Sequence, residues 1–289
     1  MQGDLILFHR CCLLATLLLC ICSGVWSQDR ETDKLGMTFV HVPEGEFLMG
    51  TSTTLIEVSN LMTIYGGQSR LLRAEVPSHS VRISSFLLQS TEVTQFQWQS
   101  VMGTKPWHRR HPFVKEGPLY PAQYVDWNEA QEFCKRLSEL DGNFYRLPTE
   151  AEWDYACRAG SETLFAFGDD PVDLGQFGWY SDNAHTVNES YVHRTALLKP
   201  NLWGFYDMHG NVWEWCSDSY QEDYYSESPE LDPSGPLRGD KRVMRGGSWR
   251  DNAFVARSAC RGSESPEHSD MNIGFRVVCV LDSKVPQPD

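Results

Sequence analysis

A chain of 289 residues admits one large domain or two, and its composition, 41% hydrophobic and 12% aromatic with Gly and Pro spread throughout, reads as a single loop-rich globular core. The formal net charge of −14 argues against a nucleic-acid partner, because phosphates need a basic face and the Lys and Arg residues are read as unclustered. The acidic balance is that of a soluble surface.

Arg10 precedes an apolar run from Cys12 to Val25, and Val25-Trp26-Ser27 follows with small or uncharged residues where a signal peptidase reads. A membrane span needs about 20 apolar residues, so residues 1–27 read as a cleaved secretory signal and the protein as secreted or periplasmic. Cys20 and Cys22 admit a lipoprotein anchor as a minor alternative, with Leu19 and Ile21 standing where a small residue is wanted. Of nine cysteines, Cys11, Cys12, Cys20 and Cys22 leave with the signal, and Cys134, Cys157, Cys216, Cys260 and Cys279 remain. An oxidising compartment leads to an expectation of two disulfides and one leftover thiol. None has CxxC or CxxH spacing, so zinc has no support.

Residues 28–34 form a polar linker, 35–282 the domain and 283–289 a tail. In GMTFVHVPEGEFLMG, apolar Met37, Phe39 and Val42 are followed by a turn at Pro43-Glu44-Gly45 into Phe47 and Met49, which predicts a hairpin. Thr51 to Val76 lacks periodicity and reads as a surface insertion, and HSVRISSFLLQ reads as a strand. Thr94 caps a helix ending at Gly103, with Phe96, Val101 and Met102 on its buried side. A second helix starts near Asn128 as cap and buries Ala130, Phe133, Cys134 and Leu137. Thr149 and Glu152 have capping-box spacing, which predicts a third helix from Glu150 to Arg158. Most of 160–240 has no regular period, and such long irregular segments need many side chains or bound ions to tie the backbone down. Asn188-Glu189-Ser190 fits a glycosylation acceptor. His79, His185, His193, His209 and His268 are scattered and read as surface or core residues.

The blocks GMTFVHVPEGEFLMG, TEVTQFQW, VDWNEAQEFC, RLPTEAEWDYACRAG, WGFYDMHGNVWEW, RGGSW and NIGFRVV stand in fixed order over nearly the whole mature chain. Together they resemble the formylglycine-generating enzyme, or sulfatase-modifying factor, family. That resemblance implies a single compact α/β (α+β) domain, poor in regular secondary structure and related to C-type lectins. It also implies calcium held by the carboxylates of Asp207 and Glu214 and the carbonyls of Gly210 and Val212, a hard-oxygen set that suits the ion. The alternative is that Asp207 caps a turn and Glu214 pairs with an arginine such as Arg245. A second family calcium site falls near Asn183, without ligands that can be named.

Family catalysis uses two cysteines that bind copper(I) and oxidise a substrate cysteine to formylglycine. Counting forward from Ser248 places them at Asp251 and Ala256, and counting back from GFR places the second nearer Ala253. Cys260 is the one thiol in that interval, so copper is not expected. The family's disulfides imply Cys134 with Cys279 and Cys157 with Cys260, each strand cysteine lying two residues from the family position, and leave Cys216 as a buried thiol. The expected function is therefore an exported, divergent oxidoreductase that does not use the copper-thiolate route, with Trp213, Ser248, Trp249 and Arg257 as pocket candidates. Two alternatives stand beside it: a calcium-stabilised binding module, and a true formylglycine-generating oxidase. For the module, Arg245, Trp249, Arg250, Arg257 and Arg261 could line a cleft for an acidic or peptide ligand, or pair within the fold. The partner is a small molecule or peptide, not nucleic acid.

Overall fold

The computed structural model describes residues 30–51, 63, 69–186 and 189–280. The signal segment, Asn188 and the tail lie outside the described residues. Along the chain the elements are β1 (Arg30–Thr32), β2 (Thr38–Val42), β3 (Gly45–Met49), α1 (Ser69–Arg73), β4 (His79–Ile83), β5 (Phe86–Gln89), α2 (Gln95–Met102) and α3 (Trp127–Asp141). They continue with β6 (Phe144–Arg146), α4 (Glu150–Arg158), α5 (Ser181–Thr186), β7 (Trp213–Ser219), β8 (Arg242–Arg245), β9 (Gly262–Glu264), β10 (Ile273–Gly274) and β11 (Val278–Val280).

An antiparallel five-stranded sheet runs β1-β2-β5-β11-β6, a four-stranded one runs β10-β7-β8-β9 with β10 parallel to β7, and β3 pairs with β4 alone. The hairpin expected across Pro43-Glu44-Gly45 is not made, because β2 joins β1 and β5 while β3 turns away to β4. HSVRISSFLLQ likewise breaks at Ser84-Ser85 into two strands of different sheets. The stretch read as a linker contributes β1, in register with Thr38, Phe39 and Val40.

Both faces of the five-stranded sheet are covered, so β5 is buried at every position and shows no alternation. Leu87, Tyr145 and Cys279 face a core with Trp98 of α2 and Phe133 of α3, whose rings stack at 5.6 Å. Val40, Leu88 and Val278 face α4 through Ala151 and Ala156.

The helix starts follow the local chemistry. Thr94 with Gln97 and Thr149 with Glu152 form reciprocal capping boxes, and Gly103 closes α2 at φ 71°. For α3 the cap is Asp126 with Glu129, two residues before Asn128. Phe96 is exposed, and Trp98 and Val101 supply the buried side of α2. In α4 every residue is buried, charged ones included, which a solvent-facing amphipathic pattern would not allow. The end of the expected surface insertion is also interior, with Ala74 and Glu75 fully buried.

Candidate functional site

Gly246 (φ 94°) and Gly247 (φ 71°) turn the chain sharply after β8 and deliver Ser248 into the interior. The Ser248 hydroxyl donates to Asp251 and accepts from Asn272 Nδ2 (3.0 Å) and the Arg250 amide (3.3 Å). Its hydrogen-bonding capacity is thereby used up, so Ser248 positions Asp251 and is not free to attack a substrate. Burial raises the Asp251 carboxyl pKa, with hydrogen bonds from Ser248 and Trp213 partly opposing that. Ala256 and Ala253, the other counted positions, are buried methyls.

Beside this turn lies an open cleft of about 490 Å³. Trp249, Arg250 and Met271 form its floor and one wall, His185 of α5 and Ser190 another, and the loop after α2 contributes His111 and Phe113. Arg250 lies over the Trp249 ring at 5.9 Å, and His185 meets the same ring edge-on at 6.3 Å. Trp249 is buried, and its indole Nε1 has no acceptor. A larger cleft of about 580 Å³ lies beside the Arg146 and Glu152 pair and contains none of Trp213, Ser248 or Trp249. Of the expected pocket residues Trp249 lines the smaller cleft and none lines the larger, so the smaller is taken as the candidate.

Of the four arginines considered for a cleft, only Arg250 lines this one. Arg245 pairs with Asp154 (3.1 Å) and Glu150 (3.3 Å), and Arg261 grips Glu150 at 2.7 and 2.9 Å. Arg257 binds both oxygens of the fully buried Glu75, at 2.6 and 2.8 Å. Paired and buried, these three do not line the Trp249 cleft; Arg257 instead lines a separate cleft of about 230 Å³ with Thr51, Arg158 and Glu162.

The five described cysteines are all buried free thiols, so neither implied bridge is formed. Cys134 and Cys279 share one core cluster, whereas Cys157 and Cys260 lie in different ones. Burial pushes the Cys157 and Cys260 thiols up to about 12 and Cys279 up to about 11, and raises Cys134 and Cys216 as well. A thiol held protonated is a poor nucleophile and metal ligand. With a carboxylate and a methyl at the counted positions, the site does not fit copper(I).

The calcium set fits in part. Asp207 (φ 60°) and Gly210 (φ 136°) shape a tight loop in which a Cβ on Gly210 would lie 2.1 Å from the Trp179 carbonyl oxygen. Asp207 Oδ2 accepts the Ala196 amide at 2.8 Å, but Oδ1 is buried without a partner. Glu92 Oε2 is in the same condition, and the two carboxyls interact directly. Burial, with added repulsion from Glu214, pushes Asp207 up to about 6, while burial and then Asp207 raise Glu92. Two orphaned oxygens are what a cation or a shared proton would satisfy. Glu214, by contrast, is engaged by Arg276 (2.6 and 2.7 Å) and the Trp153 indole (2.8 Å). The expected arginine partner exists, but it is Arg276 and not Arg245. Among the described residues no three His, Cys, Asp or Glu side chains converge as a metal group. A calcium ion here would rest on Asp207, backbone carbonyls and Glu92, a residue that motif counting missed.

Two of the histidines are held within the fold, while His185 lines the cleft. His193 stacks on Trp179 at 3.6 Å and meets Glu189 at 2.9 Å. His209 contacts the Ala256 carbonyl and accepts the Ala166 amide, and burial pushes its pKa down to about 4.

A second feature escaped the sequence reading. Lys105, Arg109, Arg110 and Lys115, with His108 and His111, fall within KPWHRRHPFVK, so the basic residues do cluster there. His111 and Phe113 of this mostly exposed segment line the cleft, whereas Lys105 and the buried Trp107 line a separate one.

Comparison with known proteins bears on the site. The sulfatase-modifying factor enzyme 1-like domain matches residues 27–281. The formylglycine-generating enzyme of Streptomyces coelicolor is 31% identical over 294 residues, covering 82% of this chain and 87% of that protein. The Bos taurus formylglycine-generating enzyme is 28% identical, with 84% and 74% covered. Among solved structures, PvdO from Pseudomonas aeruginosa superposes with a TM-score of 0.74 at 26% identity, covering 88% of this chain and 98% of that one. Treponema denticola variable protein 1 gives 0.72 at 27%, covering 86% and 98%.

Proposed function

Because the chain belongs to the sulfatase-modifying factor family yet carries Asp251 and either Ala256 or Ala253 at the positions counted for the reactive cysteines, we propose that it binds a small-molecule or peptide ligand in the Trp249 cleft and does not make formylglycine by the copper-thiolate route. The observation that carries this reading is that every described cysteine is buried with a raised pKa. Copper(I) binds thiolates and binds a hard carboxylate poorly, so Asp251 does not replace the missing sulfur. The cleft offers an aromatic floor and a cation, features that orient a bound ligand. Calcium at Asp207, with Glu92 and the Gly210 and Val212 carbonyls, would brace the loop behind it. In this reading the protein is exported, as the apolar run before Ser27 suggests. Among the described residues no helix is long and apolar enough to cross a membrane.

A divergent oxidoreductase is the second reading, and Asp251 favours it. A partly buried carboxyl with a raised pKa next to a cleft can hold or release a proton, while the redox group would have to be supplied separately. The test of the main reading is incubation of the full chain with copper and a CxPxR peptide, followed by aldehyde capture. No aldehyde is expected, and steady turnover would overturn the proposal. Ligand-observed NMR with a fragment library should then give hits that weaken in Phe113→Ala, an exposed position, at unchanged melting temperature.

A further inference from the structure

We propose that the basic rim from Lys105 to Lys115 docks an acidic segment of a partner protein, with one apolar side chain of that segment seated in the cleft over Trp249. This rests on the reading of that cleft as a ligand site and adds the chemistry of its partner. The chain has 25 basic and 39 acidic residues, yet this rim gathers four Lys and Arg side chains, none of them ion-paired among the described residues. The carboxylates around the rim are already engaged: Glu116 by His108 at 2.9 Å, Glu189 by His193 at 2.9 Å and Asp270 by Arg250 at 3.3 Å.

The cations are nevertheless held in place. This holds for two of the four: Arg110 lies over Tyr124 at 5.7 Å and donates to the Pro106 carbonyl at 3.1 Å, and Lys115 lies over Tyr191 at 4.2 Å. A ring face orients a cation without occupying all its N–H donors, so several remain available to incoming carboxylates. Between these charges stands Phe113, 57% exposed, and beneath it the apolar floor of Trp249 and Met271. A long polyanion such as nucleic acid would run off this small rim onto a surface of opposite preference, given the net charge of −14. A short acidic segment with an apolar anchor uses both the rim and the floor.

Fluorescence anisotropy on the full chain tests this, with a fluorescein-labelled peptide of glutamates around a central phenylalanine. Saturable binding that weakens with salt is expected, with about a tenfold loss in Arg110→Glu, Lys115→Glu and a comparable loss in Phe113→Ala. Lys135→Glu, exposed on α3, should bind as the parent does, and all variants should melt with it. If charge reversal leaves affinity unchanged while Phe113→Ala weakens it, the acidic partner falls and the ligand cleft survives. Insensitivity to both sets of changes, or no binding, removes the two together. Tighter binding of heparin or a DNA oligomer through the same residues would also overturn the proposal.

Discussion

Replacing Arg257 by Met keeps most of the side-chain volume, removes the charge, and is expected to destabilise the fold without touching the Trp249 cleft. Glu75 would then be fully buried with the Thr51 hydroxyl (2.6 Å) as its remaining side-chain donor among the described residues, in place of two guanidinium contacts at 2.6 and 2.8 Å. The bond from Arg257 Nε to the Phe254 carbonyl at 2.7 Å goes as well. Deleting one partner of a buried pair costs about 3–5 kcal/mol. At about 2–4 °C per kcal/mol for a large domain, the melting temperature should fall by roughly 10 °C. The double variant Glu75→Gln, Arg257→Met removes both charges and should recover much of the loss, so the cycle should show strong coupling. Thermal and urea unfolding read these values directly. A single variant melting within about 1 °C of the parent would refute the account of Arg257 as a structural cation. Loss of ligand binding at an unchanged melting temperature would return it to the site.

Chelation is expected to lower the melting temperature by several degrees if calcium is bound, since saturating ligand contributes about 2.7 kcal/mol at a hundred times Kd. Asp207→Asn should abolish that response and Glu92→Gln should shrink it, while identical melting with and without chelator would end the calcium reading. Burial and then Glu150 push the Asp218 carboxyl up to about 7. A carboxyl raised in the folded state binds its proton more tightly there, so stability is greatest at low pH and falls as pH rises through about 7. Asp218→Asn, which keeps an acceptor for the Glu150 amide and Ser217, should gain on the parent by about 2 kcal/mol between pH 5 and pH 8, and parallel profiles would contradict this. The five described thiols should resist alkylation in the native protein and all become reactive on unfolding without reductant. A count of one reactive thiol would instead restore both bridges.

Short-range chemistry was legible in the sequence. The Thr94 cap, the Thr149 capping box and the helix end at Gly103 depend on residues three positions apart or on a single backbone angle, and all appear where they were expected, with Gln97 completing a second box at Thr94. The ordered blocks likewise gave the family and with it the fold. The basic rim was equally open to reading in KPWHRRHPFVK, but a charge balance taken over the whole chain conceals a local excess. Other features were not legible. The α5 helix spans six residues, too few to show a period, and β2 and β3 read as a hairpin because nothing local says that they join different sheets. The choice among arginines belonged to the tertiary structure alone. Glu150 takes Arg245 and Arg261, Glu214 takes Arg276, Glu75 takes Arg257, and Arg250 alone of those weighed is left to the cleft. The side chains in each buried pair lie from 62 to 182 positions apart. A charge is buried only where the folded chain brings its opposite within bonding distance, because desolvation without that partner is prohibitive. Composition supplied the candidate partners, and the packing of α4 against β7 and β8 decided which of them met.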